Sequence, residues 1–326
     1  MRQLTNFKQY NNSVNRFLLL VVIVFVIPLF VNCAKQGLIE GEGYVNVTGG
    51  KVWYKIVGSG NATPLLLLHG GPGATSDYLK PLEMLADERP VIFYDQLGSG
   101  KSDRPKDQTL WRTERFVEEL AQLRKSLGLK QVHILGHSWG TMLAVDYMLT
   151  KPSGVLSLIL ASPCLSSPKW IEDANIYRAN LPKDLQEVLN KHEEAGTTDS
   201  EEYQNASMEY YRRHLCRLDP WPVELENAFS QLNMDVYGTM WGSSEFYATG
   251  TLKDYDRTGQ LNKITVPTLF TAGRYDESTP ETTTWYQSFV PNSKIVIIED
   301  ASHMTMLEQP EKYVKIVRDF LNSIEN

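Results

Sequence analysis

Gln131-Val132-His133-Ile134-Leu135-Gly136-His137-Ser138-Trp139-Gly140-Thr141-Met142-Leu143-Ala144-Val145-Asp146-Tyr147 reads as strand, tight turn and helix in succession. Val132 to Leu135 is a short apolar strand, Gly136 to Gly140 has the spacing G-x-S-x-G, and a helix-forming run follows. A serine between a strand end and a helix start must occupy a sharp, strained turn, with residues lacking a Cβ on either side. The hydroxyl of Ser138 is thereby lifted above the strand ends. The N–H of Trp139 opens a helix and points toward developing negative charge. Ser138 is the candidate nucleophile and Trp139 one candidate oxyanion donor. In this context an acid and then a base should follow the serine along the chain.

A second donor is expected upstream. Pro64 to Leu68 is a continuous apolar run of the kind buried on both faces of a parallel sheet. It ends in His69-Gly70-Gly71-Pro72-Gly73. A phosphate loop would need Gly-Lys-Ser/Thr, which this loop lacks, so it reads as an oxyanion loop with the Gly71 N–H joining that of Trp139. His69 is read as a brace for the loop. Pro90 to Tyr94 is the next strand, and Asp95 to Ser102 turns the chain and supports the oxyanion loop. Asp95 precedes the serine, which removes it from the acid role. Tyr44 to Val57 reads as a hairpin about Thr48-Gly49-Gly50, and Glu114 to Leu127 as a helix ended by Gly128.

Downstream, Val155 to Ala161 is another buried strand. Strand–helix alternation then stops from Ser162 to about Thr258, a segment rich in aromatics with helical patterns at Leu181 to Lys191 and Glu202 to Leu215. Alternation resumes at Pro267 to Ala272, which ends in Gly273-Arg274-Tyr275-Asp276. Lys294 to Ile298 is the last strand and leads to Ser302-His303. The expected acid is Asp276 and the expected base His303, with one helix (Pro280 to Val290) between them and a final helix at Pro310 to Ile324. Asp254 and Asp256 compete for the acid role but fall where the inserted segment ends.

The chain has 326 residues, is 42% hydrophobic and 22% charged, and carries a formal net charge of −7. That suits a large globular core and argues against nucleic acid or an anionic membrane surface as partner. Of the six histidines only His133 and His137 are spaced His-x-x-x-His, across the expected strand and elbow and not along a helix, and there is no Cys-x-x-Cys, so neither a metal nor a cofactor is expected. Residues 1–33 read as a targeting segment: Arg2, Lys8 and Arg16 precede the apolar run Phe17 to Val31. Phe30-Val31-Asn32-Cys33 resembles a bacterial lipobox, with Phe30 and Asn32 departing from the usual Leu and small residue. Lipidation at Cys33, an uncleaved anchor and simple secretion stay open, each placing the protein in the cell envelope or periplasm. Cys164 and Cys216 are expected to be buried thiols.

Together these motifs resemble the proline iminopeptidase family of serine aminopeptidases, over roughly Gly41 to the C-terminus. The residues that match are His69 to Gly73, Asp95 to Ser102, Gly136 to Gly140, Gly273 to Asp276 and Ser302-His303. Thr141 departs from the glycine more usual after Gly140. The resemblance implies an α/β-hydrolase fold with a mostly parallel central sheet. The core would comprise 41–161 and 259–326, with a helical cap at 162–258. It also implies removal of an N-terminal residue, often proline, from a small peptide, or hydrolysis of an amino-acid amide. A free N-terminus is largely cationic near neutral pH and requires carboxylates inside an apolar cap. Glu245 is the first candidate, followed by Glu209 and Asp219. An esterase or lipase with the same triad, and a non-catalytic binding protein, are the competing expectations.

Overall fold

A computed structural model describes residues 38–325. The targeting segment and Cys33 lie outside the described residues. Among the described residues no helix is long and apolar enough to cross a membrane.

The chain opens with the hairpin β1 (Gly41–Val47) and β2 (Gly50–Val57). Next come β3 (Leu65–Leu68), a 3₁₀ turn (Asp77–Leu85) and β4 (Val91–Tyr94). Helix α1 (Thr113–Ser126) then leads to β5 (Val132–His137), α2 (Trp139–Leu149) and β6 (Val155–Ala161). After the interval 162–258 the core resumes with β9 (Thr268–Gly273), reached after the small hairpin β7–β8 described below. One eight-stranded sheet runs in the order β1-β2-β4-β3-β5-β6-β9 and then a last strand, β10 (Ser293–Ile298). Strand β2 is antiparallel to β1 and β4, and every pairing from β4 to β10 is parallel.

Parallel strands buried on both faces need side chains that are apolar in both directions, and the leucine run of β3 shows it. Leu66 and Leu68 join the core on one face with Phe116 and Leu120 of α1, while Leu65 and Leu67 join the core on the other. That second face is covered by the 3₁₀ turn and by α10 (Pro310–Glu325), through residues such as Leu79, Tyr313 and Val317.

The interval between β6 and β9 contributes no strand to the sheet. It holds α3 (Ser167–Arg178), α4 (Lys183–Ala195), α5 (Glu201–His214), α6 (Val223–Ser230), α7 (Met234–Met240) and the hairpin β7 (Gly242–Ser244) and β8 (Tyr247–Ala248). Helices α4 and α5 match the two sequence patterns; α3, α6 and α7 were not legible there. Helix α3 buries Asp173 beside Trp170 and Ala174, which breaks the apolar period, and α6 and α7 are only about two turns long. Between β9 and β10 lies α8 (Pro280–Phe289), and α9 (Thr305–Glu308) precedes α10.

Candidate active site

Because β3, β5, β9 and β10 run parallel, the loops after them open at one edge of the sheet, the carboxyl edge where sheet enzymes of this type bind ligands. Ser138 sits there with φ 54° and ψ −124°, a conformation a side-chain-bearing residue holds only under constraint. The flanking glycines have a steric reason. A Cβ on Gly136 would meet the Gly140 carbonyl oxygen at 2.3 Å, and one on Gly140 would meet that of Leu68 at 2.1 Å. The N–H of Trp139 lies in the first turn of α2, where helix donors have no intrahelical acceptor. Ser138 and Gly71 line a cavity of about 570 Å³. Beside it is a narrow recess walled by Trp139, Met142, Cys164, Trp170, Trp241 and Leu252, which shares Gly71, Ser138 and Glu245 with the cavity.

The glycine-rich loop is held from behind. The Gln96 N–H donates to His69 Nε2 (3.0 Å), its side-chain amide donates to the His69 carbonyl (3.0 Å), and the Trp139 indole donates to Gln96 Oε1 (2.8 Å). With Nε2 accepting, Nδ1 carries the proton and donates to the Gly70 carbonyl (2.9 Å). Burial holds this imidazole below its ordinary range. His69 thus braces the loop. Asp95 accepts from the Ser76 N–H and hydroxyl and from the Lys101 N–H, so its carboxylate is used within that support.

His303 Nδ1 lies 2.8 Å from Asp276 Oδ1, with both side chains buried. Asp276 also accepts from the N–H groups of Ser278 (2.8 Å) and Gly273 (3.2 Å). Asp256, a competitor for this place, caps Thr258 instead. The hydroxyl of Ser138 and the imidazole of His303 face the same cavity without a hydrogen bond between them. Such bonds commonly form only when substrate is bound.

The His303 loop is anchored on several sides. The Glu308 carboxylate accepts from the N–H (2.5 Å) and hydroxyl of Ser302. The N–H groups of His303 and Met304 donate to the carbonyls of His214 (3.1 Å) and Leu215 (2.9 Å), at the end of α5. The His303 carbonyl accepts from the Ser162 hydroxyl (3.1 Å) and His137 Nε2 (3.0 Å). A carbonyl only accepts, so the proton of His137 is on Nε2 and its Nδ1 accepts from the Tyr78 hydroxyl (2.9 Å). The Tyr78 oxygen in turn accepts from the Gly70 N–H (2.6 Å). A buried hydrogen-bonded chain therefore joins the glycine-rich loop to the His303 loop. Burial, with His303 nearby, pushes the His137 imidazole well below its usual range, which keeps it neutral.

Two buried carboxylates stand by His303: Glu245 lines both compartments, whereas Glu277 lines neither and reaches the site through its contact with the imidazole. Glu245, in the turn between β7 and β8, accepts from the Tyr237 hydroxyl (2.8 Å). Burial raises its carboxyl above the ordinary range, while His303 and the Tyr237 hydroxyl pull it down. Glu277 was not found from sequence. It is buried, neither of its carboxylate oxygens has a hydrogen-bond partner among the described residues, and Oε1 lies 3.8 Å from His303 Nε2. Burial, then the charges of Glu245 and Asp276, push it well above the usual carboxylate range. Its only sequence signal is adjacency to Asp276, outside the segment 162–258 in which amine-binding groups were expected. Glu209 and Asp219 are corrections. Glu209 pairs with Arg213 one turn along α5 (2.6 Å), Asp219 is exposed, and neither lines the cavity. Cys164 and Cys216 are buried free thiols. Among the described residues no group of three or more His, Cys, Asp or Glu is placed to hold a metal ion.

A strained serine elbow and a buried Asp–His pair at one edge of a mostly parallel sheet define a serine hydrolase of the α/β-hydrolase fold. The family model described as alpha/beta hydrolase fold matches residues 63–310. A proline iminopeptidase of Heyndrickxia coagulans is 54% identical over 286 residues, covering 87% of this chain and 99% of that protein. Among solved structures, VinJ superposes with a TM-score of 0.85 at 38% identity, covering 87% of this chain and 99% of VinJ. The Mycobacterium smegmatis proline iminopeptidase gives 0.81 at 35% identity, with 87% and 98% covered. The chain belongs to the proline iminopeptidase family, and its enzymatic class is prolyl aminopeptidase-like.

Proposed function

We propose that the protein releases a single N-terminal residue, with proline preferred, through an acyl-enzyme on Ser138. His303 takes the hydroxyl proton as Ser138 attacks the carbonyl of the first residue. Asp276 fixes the imidazole tautomer and stabilises the cation that forms. The N–H groups of Gly71 and Trp139 receive the oxyanion, and His303 then protonates the departing amine. Water, deprotonated by the same imidazole, releases the acyl residue.

One observation carries the amine-bearing substrate: two buried carboxylates, Glu245 and Glu277, stand beside His303, and neither oxygen of the second has a hydrogen-bond partner among the described residues. Buried carboxylates without a counter-ion are costly, and a substrate ammonium group supplies one. The recess between Trp139, Trp170 and Trp241 has a volume of only about 10 Å³, so a pyrrolidine ring would enter as those walls part; their apolar, aromatic lining supports a compact apolar first residue. The names of the relatives support proline in that place.

The test compares prolyl, alanyl and N-acetylprolyl anilides with a short acyl ester. Ser138→Ala should lower kcat on prolyl anilide by at least about 10⁴-fold while leaving the circular dichroism unchanged. Glu245→Gln should raise KM for free-amine substrates and leave ester hydrolysis nearly untouched. Faster turnover of the ester than of any anilide, with indifference to Glu245, would overturn the reading in favour of an esterase.

A further inference from the structure

Ser138, Gly71 and Glu245 belong to both compartments of the site, so the serine stands at a junction between spaces of unequal size. The recess has a volume of only about 10 Å³ against about 570 Å³ for the cavity, so whether the first residue parts the recess walls or shares the cavity, everything after the scissile bond must enter the larger cavity. The far wall of that cavity is apolar, built from Leu215, Leu225, Phe229, Leu232 and Met234. Its acidic side chains are Asp199 and Glu245, and its basic ones are the imidazoles of His137 and His303; no lysine or arginine among the described residues lines it. His137 is held neutral by burial, and His303 is committed to Asp276.

We infer that this cavity selects the leaving portion of the substrate: it takes an apolar second residue and rejects a free α-carboxylate at that position. The inference rests on the aminopeptidase reading above. A dipeptide would carry its carboxylate into a wall that offers acids, hydrocarbon and neutral groups such as Thr198, Gln204, Ser230 and Ser243 but no lysine or arginine, which leaves the charge partly desolvated and without a counter-ion. Amidation removes the charge. Lengthening does the same by distance, since each added residue carries the C-terminus up to about 3.3–3.6 Å further toward the mouth. The preferred substrates are therefore capped or longer peptides with an apolar second residue, with free dipeptides disfavoured.

The experiment measures kcat/KM for Pro-Leu-NH₂ and Pro-Leu-OH, then for the corresponding acid and amide pairs of three, four and five residues. The amide should exceed the acid at least tenfold for the dipeptide, and the ratio should fall toward one as the chain lengthens. Met234, 54% exposed on the cavity rim, offers a second arm: Met234→Lys should narrow the dipeptide ratio by giving the carboxylate a partner. Equal rates for Pro-Leu-OH and Pro-Leu-NH₂, or a ratio independent of length, would overturn the inference while leaving the aminopeptidase intact. If no prolyl substrate is cleaved, the aminopeptidase reading fails and the inference falls with it.

Discussion

Glu277 shows how a single side chain exchanges stability for readiness. Its carboxyl is pushed well above the usual range by burial and by Glu245 and Asp276. The folded state therefore keeps this proton at pH values where the unfolded chain, with a reference pKa of ~4.3, has released it. Stability from this group is complete below that reference value and is lost as pH rises through the raised folded value. Glu277→Gln should remove the slope. We expect the variant to be about 1–2 kcal/mol more stable than the parent at pH 8 and nearly equal to it at pH 4, by urea unfolding. Binding of free-amine substrates should weaken at the same time. Ser138, Asp276 and His303 were candidates in the sequence because each sits in a motif or at an expected strand end, and Glu245 was a candidate only through the family resemblance. Glu277 was not one, because its importance comes from what surrounds it and not from its place in any pattern. Glu209 failed for the opposite reason: its helical context was correct, but its side chain is satisfied by Arg213.

At the level of elements, the site is a set of loops tied to one another. The 3₁₀ turn supplies Tyr78, β5 supplies His137, and the end of α5 receives the N–H groups of the His303 loop. Tyr78→Phe cuts the chain at its middle, freeing the Gly70 N–H and His137 Nδ1. Two hydrogen bonds are lost, and if about 1.4 kcal/mol of that loss reaches the transition state the rate falls roughly tenfold. We expect kcat on prolyl anilide to fall by about that factor, with KM and the pH profile of kcat/KM little changed. A rise in KM alone would show that Tyr78 serves binding and not alignment. The strands and α1 were legible because apolar runs and helical spacing survive in a core buried on both faces. The tie between α5 and the His303 loop was not, since it consists of backbone groups that no side-chain pattern encodes.

Across the whole molecule, a buried cation ties the end of the last helix to the segments leading into β3 and β4. Arg89 is fully buried and donates to Glu325 at the end of α10 (3.1 Å) and to the Thr63 carbonyl (3.1 Å), while Glu325 also accepts from the Thr63 N–H and pairs with His133 Nε2. Burial alone would raise the Glu325 carboxyl, but the hydrogen bonds from His133, Arg89 and Thr63 hold it below its usual range. The stabilisation is thus present above the unfolded value of ~4.3 and is lost as pH falls through the lower folded value. Glu325→Ala should cost about 1–3 kcal/mol at pH 7 by thermal unfolding, with the gap closing at strongly acid pH. The order of serine, acid and base around the sheet was legible because parallel strands send their ends to one edge. The packing of the inserted helices was not, because several are too short or too polar on their buried face to announce themselves.

Glu245 belongs to the inserted segment and Glu277 to the loop after β9, so the two halves of the carboxylate pair are carried by different parts of the chain. On the proposed amine-binding role, an ammonium group gripped by both would work as a rivet, fastening the inserted segment to the loop after β9 while it stays and releasing them when it leaves with the product. Each catalytic cycle would then loosen and re-seat the roof of the enzyme, and a non-cleavable amine should slow hydrogen exchange in the β7–β8 hairpin.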